Sequence, residues 1–136
     1  MTAIATLTMN PALDITTATP DVRPTDKLRC TEPRFDPGGG GINVARVVSA
    51  LGGETVAIFP SAGPPGEMLQ RLLADARVPF MAVPVPGQTR QSFTVDESDS
   101  GEQYRFVLPG PNLSFHDQMR VLDALPALQE PPAFLV

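Results

Sequence analysis

Gly38-Gly39-Gly40-Gly41-Ile42-Asn43-Val44-Ala45-Arg46-Val47-Val48-Ser49-Ala50-Leu51-Gly52-Gly53 is the stretch that decides the fold class. Directly after four glycines, Ile42, Ala45, Val48 and Leu51 recur at helical spacing, and Val44 and Val47 widen the apolar stripe. Gly52-Gly53 supplies residues that accept the left-handed backbone of a helix C-terminus. Beyond this helix, residues 55–59 (Thr-Val-Ala-Ile-Phe) form a short apolar run of the kind that builds a buried strand. Upstream, residues 4–9 alternate apolar side chains with Thr and read as a strand, and Asn10-Pro11 interrupts it. Downstream, Met68, Leu69, Leu72, Leu73 and Ala76 mark the apolar face of a second helix over residues 66–76, with Pro79 after its end. Residues 80–85 are again strand-like. Strand, helix, strand, helix, strand predicts an α/β fold: a parallel sheet with flanking helices.

Two regions do not fit that alternation. Residues 22–35 are polar and β-tolerant, but Pro24 and Pro33 interrupt them and Pro20 precedes them, so they predict one or two short, irregular strands away from a sheet centre. Residues 91–95 and 103–108 are β-like runs joined by the polar turn at 96–101, which predicts a hairpin closed by Pro109-Gly110-Pro111. These pieces predict a separate small β layer. Ser114 followed by Asp117 reads as a helix N-cap. Met119, Leu122 and Leu125 would form that helix's apolar face, with Pro126 near its end. Ala133-Phe134-Leu135-Val136 is a last apolar, strand-like run.

Composition narrows the function classes. The 136 residues suit one domain, and 42% of them are hydrophobic, enough for a core. Lys plus Arg is 10 against 15 Asp plus Glu, a net charge of -5 that argues against a nucleic-acid binder. No apolar run is long enough to span a membrane, and the N-terminus has no basic region of a signal peptide. The single cysteine, Cys30, excludes an internal disulfide, fits a reducing cytoplasm, and reads as an inert, packed thiol. His116, the one histidine, sits near a helix start and reads as a surface residue.

Four residue sets carry chemistry. Glycines that open a helix let a ligand approach the backbone, and the free N–H groups of the first turn favour an anion or an electron-rich oxygen. The run lacks the Gly-Lys-Ser/Thr of a phosphate loop and the spacing of a dinucleotide fingerprint; it would also serve as a plain linker. Asn43, in the first helical turn, can both donate to and accept from sugar hydroxyls. Asp14, read as lying on a loop past the first strand, stands where parallel α/β sheets bind ligands, and its carboxylate can accept from two neighbouring hydroxyls or cap its own turn. Arg90 offers a planar guanidinium for bidentate phosphate contact, and Lys27 and Arg29 are further phosphate candidates; each would also do as a solvated surface charge. No metal-ligating pattern emerges, and the acidic turn at 96–102 lacks the spacing of a calcium loop.

The motifs together resemble those of the PfkB-type (ribokinase-like) sugar kinases, in particular their 6-phosphofructokinase branch. The likeness rests on Thr6-Leu7-Thr8-Met9-Asn10-Pro11-Ala12-Leu13-Asp14, on Lys27-Leu28-Arg29-Cys30, and on Pro37 through Arg46. Thr89-Arg90-Gln91 and Ser100 through Gly110 match that family's lid hairpin. The resemblance implies a ribokinase-like parallel sheet with a small β lid made of segments at about 16–36 and 88–108, all within one N-terminal kinase region spanning 1–136. It implies that Asp14 and Asn43 hold sugar hydroxyls beside Gly38 and Gly39, that Arg90 binds the sugar phosphate, and that Lys27 and Arg29 assist, Lys27 also toward nucleotide. The implied reaction is transfer of phosphate from Mg-ATP to fructose 6-phosphate, and the implied partner is a second copy joined through the lid. Gly40 stands where 1-phosphofructokinases usually carry Lys, which favours fructose 6-phosphate over the substrates of 1-phosphofructokinases and tagatose-6-phosphate kinases. The family's later Gly-Ala-Gly-Asp segment, which carries the catalytic base, does not occur in these residues. The resemblance thus implies a base beyond Val136 and no catalytic residue within 1–136, so the 136-residue chain alone is expected to bind sugar phosphate without turnover. A fragment of a 1-phosphofructokinase or tagatose-6-phosphate kinase is one alternative, and a non-catalytic sugar-phosphate-binding or dimerisation module is the other.

Overall fold

The computed structural model describes residues 3–136; the N-terminal reading above falls in part on residues 1 and 2, which lie outside the described residues. Two four-stranded sheets organise the chain. The first contains β1 (Ile4–Leu7), β4 (Thr55–Ser61), β5 (Phe80–Pro84) and β8 (Phe134–Leu135) in the order β5-β4-β1-β8. Every pair in it is parallel. The parallel α/β reading therefore holds. The apolar run at 133–136 does form a strand, but a shorter one: β8 proper is two residues long and Val136 lies just past it. Val136 still belongs to the ladder, because its N–H donates to the Ala5 carbonyl at 3.0 Å and its carbonyl accepts from Leu7 N at 2.7 Å. α1 (Gly40–Ala50) and α2 (Gly63–Asp75) cover one face of this sheet, where Ile42, Ala45, Leu69 and Leu73 pack on Ala57 and Phe59. Ile58 points the other way along β4, against Val121 of α3 (Phe115–Leu122) and Ala124. Alternate residues of one strand thus feed both cores, the pattern expected when a sheet is buried on both faces.

Local signals explain the element ends. Gly52 takes φ +80° just past α1, as a left-handed C-terminal residue should. α2 begins at Gly63, three residues before the expected start, because Pro64 and Pro65 fit the first turn, where no intrahelical N–H partner is lost. Ser114 and Asp117 form a full capping box on α3. The face of α3 departs from expectation: Val121 and Asp117 are buried, Leu125 packs against the core from beyond the helix, and Met119 and Leu122 are exposed. The eight-residue helix rests on the sheet through Val121, joined by Ala124 just past its end, and not through 119–122.

The second sheet holds β3 (Arg34–Gly38), β2 (Ala12–Thr19), β6 (Arg90–Glu97) and β7 (Gln103–Val107) in the order β3-β2-β6-β7. The expected hairpin is β6-β7. Asp14 lies inside β2 and not on a loop: the chain leaves β1, turns through residues 8–11 and enters the second sheet at Ala12. The expected strands over 22–35 reduce to the start of β3, with residues 20–33 outside regular structure. β3 carries Pro37 and is an edge strand, the position proline tolerates. Segment 20–33 is tied to the hairpin by Glu97, whose carboxylate accepts from Val22 N at 2.5 Å and from the Ser100 hydroxyl. Cys30 is free and exposed, not packed. Among the described residues no helix is long and apolar enough to cross a membrane.

Candidate functional site

Register in the second sheet builds the site. Residues opposite one another across neighbouring strands share a face. Asp36, Asp14, Ser92 and Val107 form one such row, and Arg34, Thr16, Thr94 and Arg105 form the next. Gly38, Ala12 and Arg90 form a third. One face of the sheet is therefore polar and charged, and it looks onto the N-terminus of α1. Between them lies an open cleft of about 620 Å³.

Four of the residues singled out in the sequence meet there: Asp14, Gly39, Asn43 and Arg90 all line the cleft. Gly38 packs directly beneath Asp14, so closely that a Cβ at position 38 would lie 2.6 Å from the Asp14 Cγ. Gly39 holds φ +116°, ψ 144°, a conformation open essentially to glycine, and this turns the chain from β3 into α1. Gly40 also lines the cleft, with open space around it. Lys27 and Arg29 lie elsewhere, on the exposed 20–33 segment, and neither lines the cleft. Val136, the marker beyond which the base is expected, does not line it either. Its backbone is held by β1 in the other sheet and its side chain is exposed, so its place in the fold is structural and it carries no site chemistry.

Charge in the cleft is mixed. Arg34 Nε donates to Asp36 at 2.7 Å, and Arg46 pairs with Asp36 at 3.7 Å while donating to the Pro37 carbonyl at 3.1 Å. Arg90 Nε donates to the Asn10 carbonyl at 3.2 Å and its Nη1 to Ser92 Oγ at 3.4 Å. Burial lifts the Asp14 carboxyl above the ordinary aspartate range and Asp36 adds to the lift, while Arg90, Arg105 and Arg46 draw it back. Asp14 has no hydrogen-bond or ion-pair partner among the described residues, so its oxygens are free to accept from a ligand.

Arg34, Asp36, Arg46, Ser92 and Arg105 were not singled out by sequence reasoning. The signal for several of them was present as strand alternation: Arg90, Ser92 and Thr94 are spaced by two, as are Arg34 and Asp36. It becomes readable only once β2 is known to lie between β3 and β6. The arrangement suits a ligand with hydroxyl donors and an anionic group. It does not suit Mg-ATP: among the described residues no three His, Cys, Asp or Glu side chains converge on a metal position, and the two cleft carboxylates face arginines.

The model of the pfkB family of carbohydrate kinases matches residues 7–131. An ATP-dependent 6-phosphofructokinase isozyme 2 from Mycobacterium tuberculosis is 57% identical over 133 residues, covering 98% of this chain. Its Escherichia coli K12 counterpart is 53% identical over 123 residues, covering 90% of this chain. The chain spans only 39% of the first relative and 40% of the second. Among solved structures, Escherichia coli phosphofructokinase-2 in complex with fructose-6-phosphate superposes with a TM-score of 0.89 at 45% identity, over 98% of this chain and 47% of that one. The family match over residues 7–131, with more than half of the residues identical to these relatives along nearly the whole chain, makes this chain a member of the pfkB family of carbohydrate kinases.

Proposed function

We propose that the cleft binds fructose 6-phosphate, and that these residues form the sugar-recognition part of an ATP-dependent 6-phosphofructokinase. The observation that carries the reading is the convergence of Asp14, Asn43 and Arg90 on one cleft from three separate elements. In this reading the Asp14 carboxylate accepts from two neighbouring sugar hydroxyls. Asn43 adds an amide that both donates and accepts, and the α1 N-terminus contributes free backbone N–H groups. Arg90, oriented by Asn10 and Ser92, takes the phosphate oxygens. Gly38 and Gly39 keep the backbone low beneath the sugar.

Segments 16–36 and 88–108 act as a lid in this proposal, and Mg-ATP is the phosphoryl donor of the whole protein. Lys27 and Arg29, outside the cleft, would reach an anion only from the 20–33 segment, as sugar-phosphate contacts or, for Lys27, toward nucleotide. A reducing, cytoplasmic setting agrees with a free, exposed Cys30. Self-association through the lid is supported by the reverse face of the second sheet, where Phe35, Ile15, Phe93 and Phe106 stand in one register row and Phe106 is 55% exposed.

Calorimetric titration of the chain with fructose 6-phosphate tests the reading. Saturable binding that Asp14→Asn abolishes is expected. A folded chain that ignores fructose 6-phosphate, or binds it equally well as Asp14→Asn, would contradict it.

A further inference from the structure

Glu97, the last residue of β6, is buried, with 8% exposure, although Ser98, Asp99 and Ser100 beyond it are exposed. A carboxylate taken out of water is costly unless it is hydrogen-bonded. Glu97 has two donors, Val22 N at 2.5 Å and the Ser100 hydroxyl, and the first comes from the irregular segment 20–33. Other bonds fix that segment at both ends. Ser98 N donates to the Thr19 carbonyl at 3.0 Å and Asp99 N to the Pro20 carbonyl at 3.1 Å. At the far end Thr31 N donates to the Ala18 carbonyl at 2.9 Å, and Thr17 Oγ1 to the Thr31 carbonyl at 2.7 Å. Between these ends, Arg23 pairs with Asp21 and Asp26, and Thr25 donates to the Pro24 carbonyl, so these contacts stay within the segment. Residues 23–27 are exposed and Leu28 is half-buried. Among the described residues, the Val22–Glu97 bond is thus the outermost hydrogen bond between the segment and the hairpin. Residues 21–28 form a loop whose two feet stand together beside the end of β2, with Arg29 at the far foot and Lys27 on the loop itself.

We propose that Glu97 is a latch for a strap formed by residues 21–28: its carboxyl group holds the strap against the β6–β7 turn and keeps Lys27 away from the cleft, and loss of the latch lets the strap lift as a unit about its two feet. Hydrogen bonds to an ionised acceptor are the strong class, so one of them can dominate the order of a short loop that has little else to hold it.

Amide exchange and backbone 15N relaxation of the whole chain and of its Glu97→Ala and Glu97→Gln variants test the latch, with urea unfolding as the check on overall stability. Glu97→Ala is expected to speed exchange of the Val22 amide by about tenfold or more. It should also lower the order parameters of 21–28 together, from the rigid range near about 0.85 toward about 0.6. The Thr31, Ser98 and Asp99 amides should keep their wild-type exchange. Glu97→Gln, which keeps the size of the side chain and loses its charge, should fall between wild type and Glu97→Ala. Wild-type values in both variants would overturn the inference. So would a change confined to Val22, since the strap would then not move as a unit. Exchange that rises across the whole second sheet, with stability lost to match, would make Glu97 a packing residue of the hairpin and overturn the inference as well.

Discussion

Alanine at position 38 drives a methyl group into the Asp14 carboxylate. The new Cβ would lie 2.6 Å from Asp14 Cγ and 2.8 Å from Oδ1, against the 3.5–4.0 Å of a relaxed contact. The carboxylate must therefore move by about 1 Å or swing to another staggered well. The backbone does not resist, since Gly38 lies in β3 with no positive φ, and the change should leave stability within about 1 kcal/mol of wild type. Ligand binding should suffer much more. A hydrogen bond to a charged group contributes about 1.5–3 kcal/mol, so one mispositioned carboxylate oxygen weakens sugar binding roughly 10- to 150-fold. Calorimetry with fructose 6-phosphate reads the affinity, urea unfolding reads the stability, and an NMR pH titration of the Asp14 carboxyl reads its environment. Displaced toward solvent, that carboxyl should titrate lower than in wild type, because burial is the main cause of its lift. Gly39→Ala is the contrast: at φ +116° and with its Cβ 2.7 Å from Thr8 Cγ2, it should cost about 1–3 kcal/mol of stability. A folded Gly38→Ala chain with unchanged affinity and an unchanged Asp14 titration would refute the reasoning.

Three further outcomes follow from the same geometry. Asp14 titrates above its ordinary value in the folded chain, so the native state holds the proton more tightly and stability falls as pH rises from the unfolded value of 3.8 through the folded one. Asp14→Asn should then gain stability relative to wild type near neutral pH but not below that window, and a pH-independent difference in urea unfolding would contradict this. Ser114→Ala removes half of the α3 capping box and should cost about 1 kcal/mol in the same assay, a loss that Asp117→Ala only partly adds to; no loss would mean that α3 is held by Val121 alone. A Cβ at position 40 meets no atom within 4 Å, so the fold should tolerate Gly40→Lys, while the new side chain should enter the cleft and change fructose 6-phosphate affinity severalfold; identical affinity would show that the Lys does not enter it.

The parallel sheet was legible because each of its elements carries its own period. Ile42, Ala45 and Val48 repeat as a helix, residues 55–59 are continuously apolar, and glycine and proline mark the ends. β2 was not legible. Its residues, Ala-Leu-Asp-Ile-Thr-Thr-Ala-Thr, follow an Asn-Pro break, and the strand exists because β3 and β6 flank it, a long-range pairing that no local window contains. Asp14 could thus be picked out as a ligand group and still be assigned to the wrong element. Arg105 was not singled out within the Ser100–Gly110 stretch for the same reason, since it joins the cleft through pairing with Thr94. The α3 face was misread because Met119 and Leu122 are apolar and correctly spaced, yet the helix turns Val121 to Ile58. Lys27 and Arg29 lie on segment 20–33, which Glu97 fastens to the hairpin, and neither side chain lines the cleft.

The central claim, a sugar-phosphate site between the charged face of the second sheet and the start of α1, is tested most directly by a crystal structure of the chain with fructose 6-phosphate. The account predicts sugar hydroxyls on the Asp14 carboxylate and Asn43, with the phosphate at Arg90. Fructose 6-phosphate seated away from Asp14, or with its phosphate turned from the arginines, would contradict it.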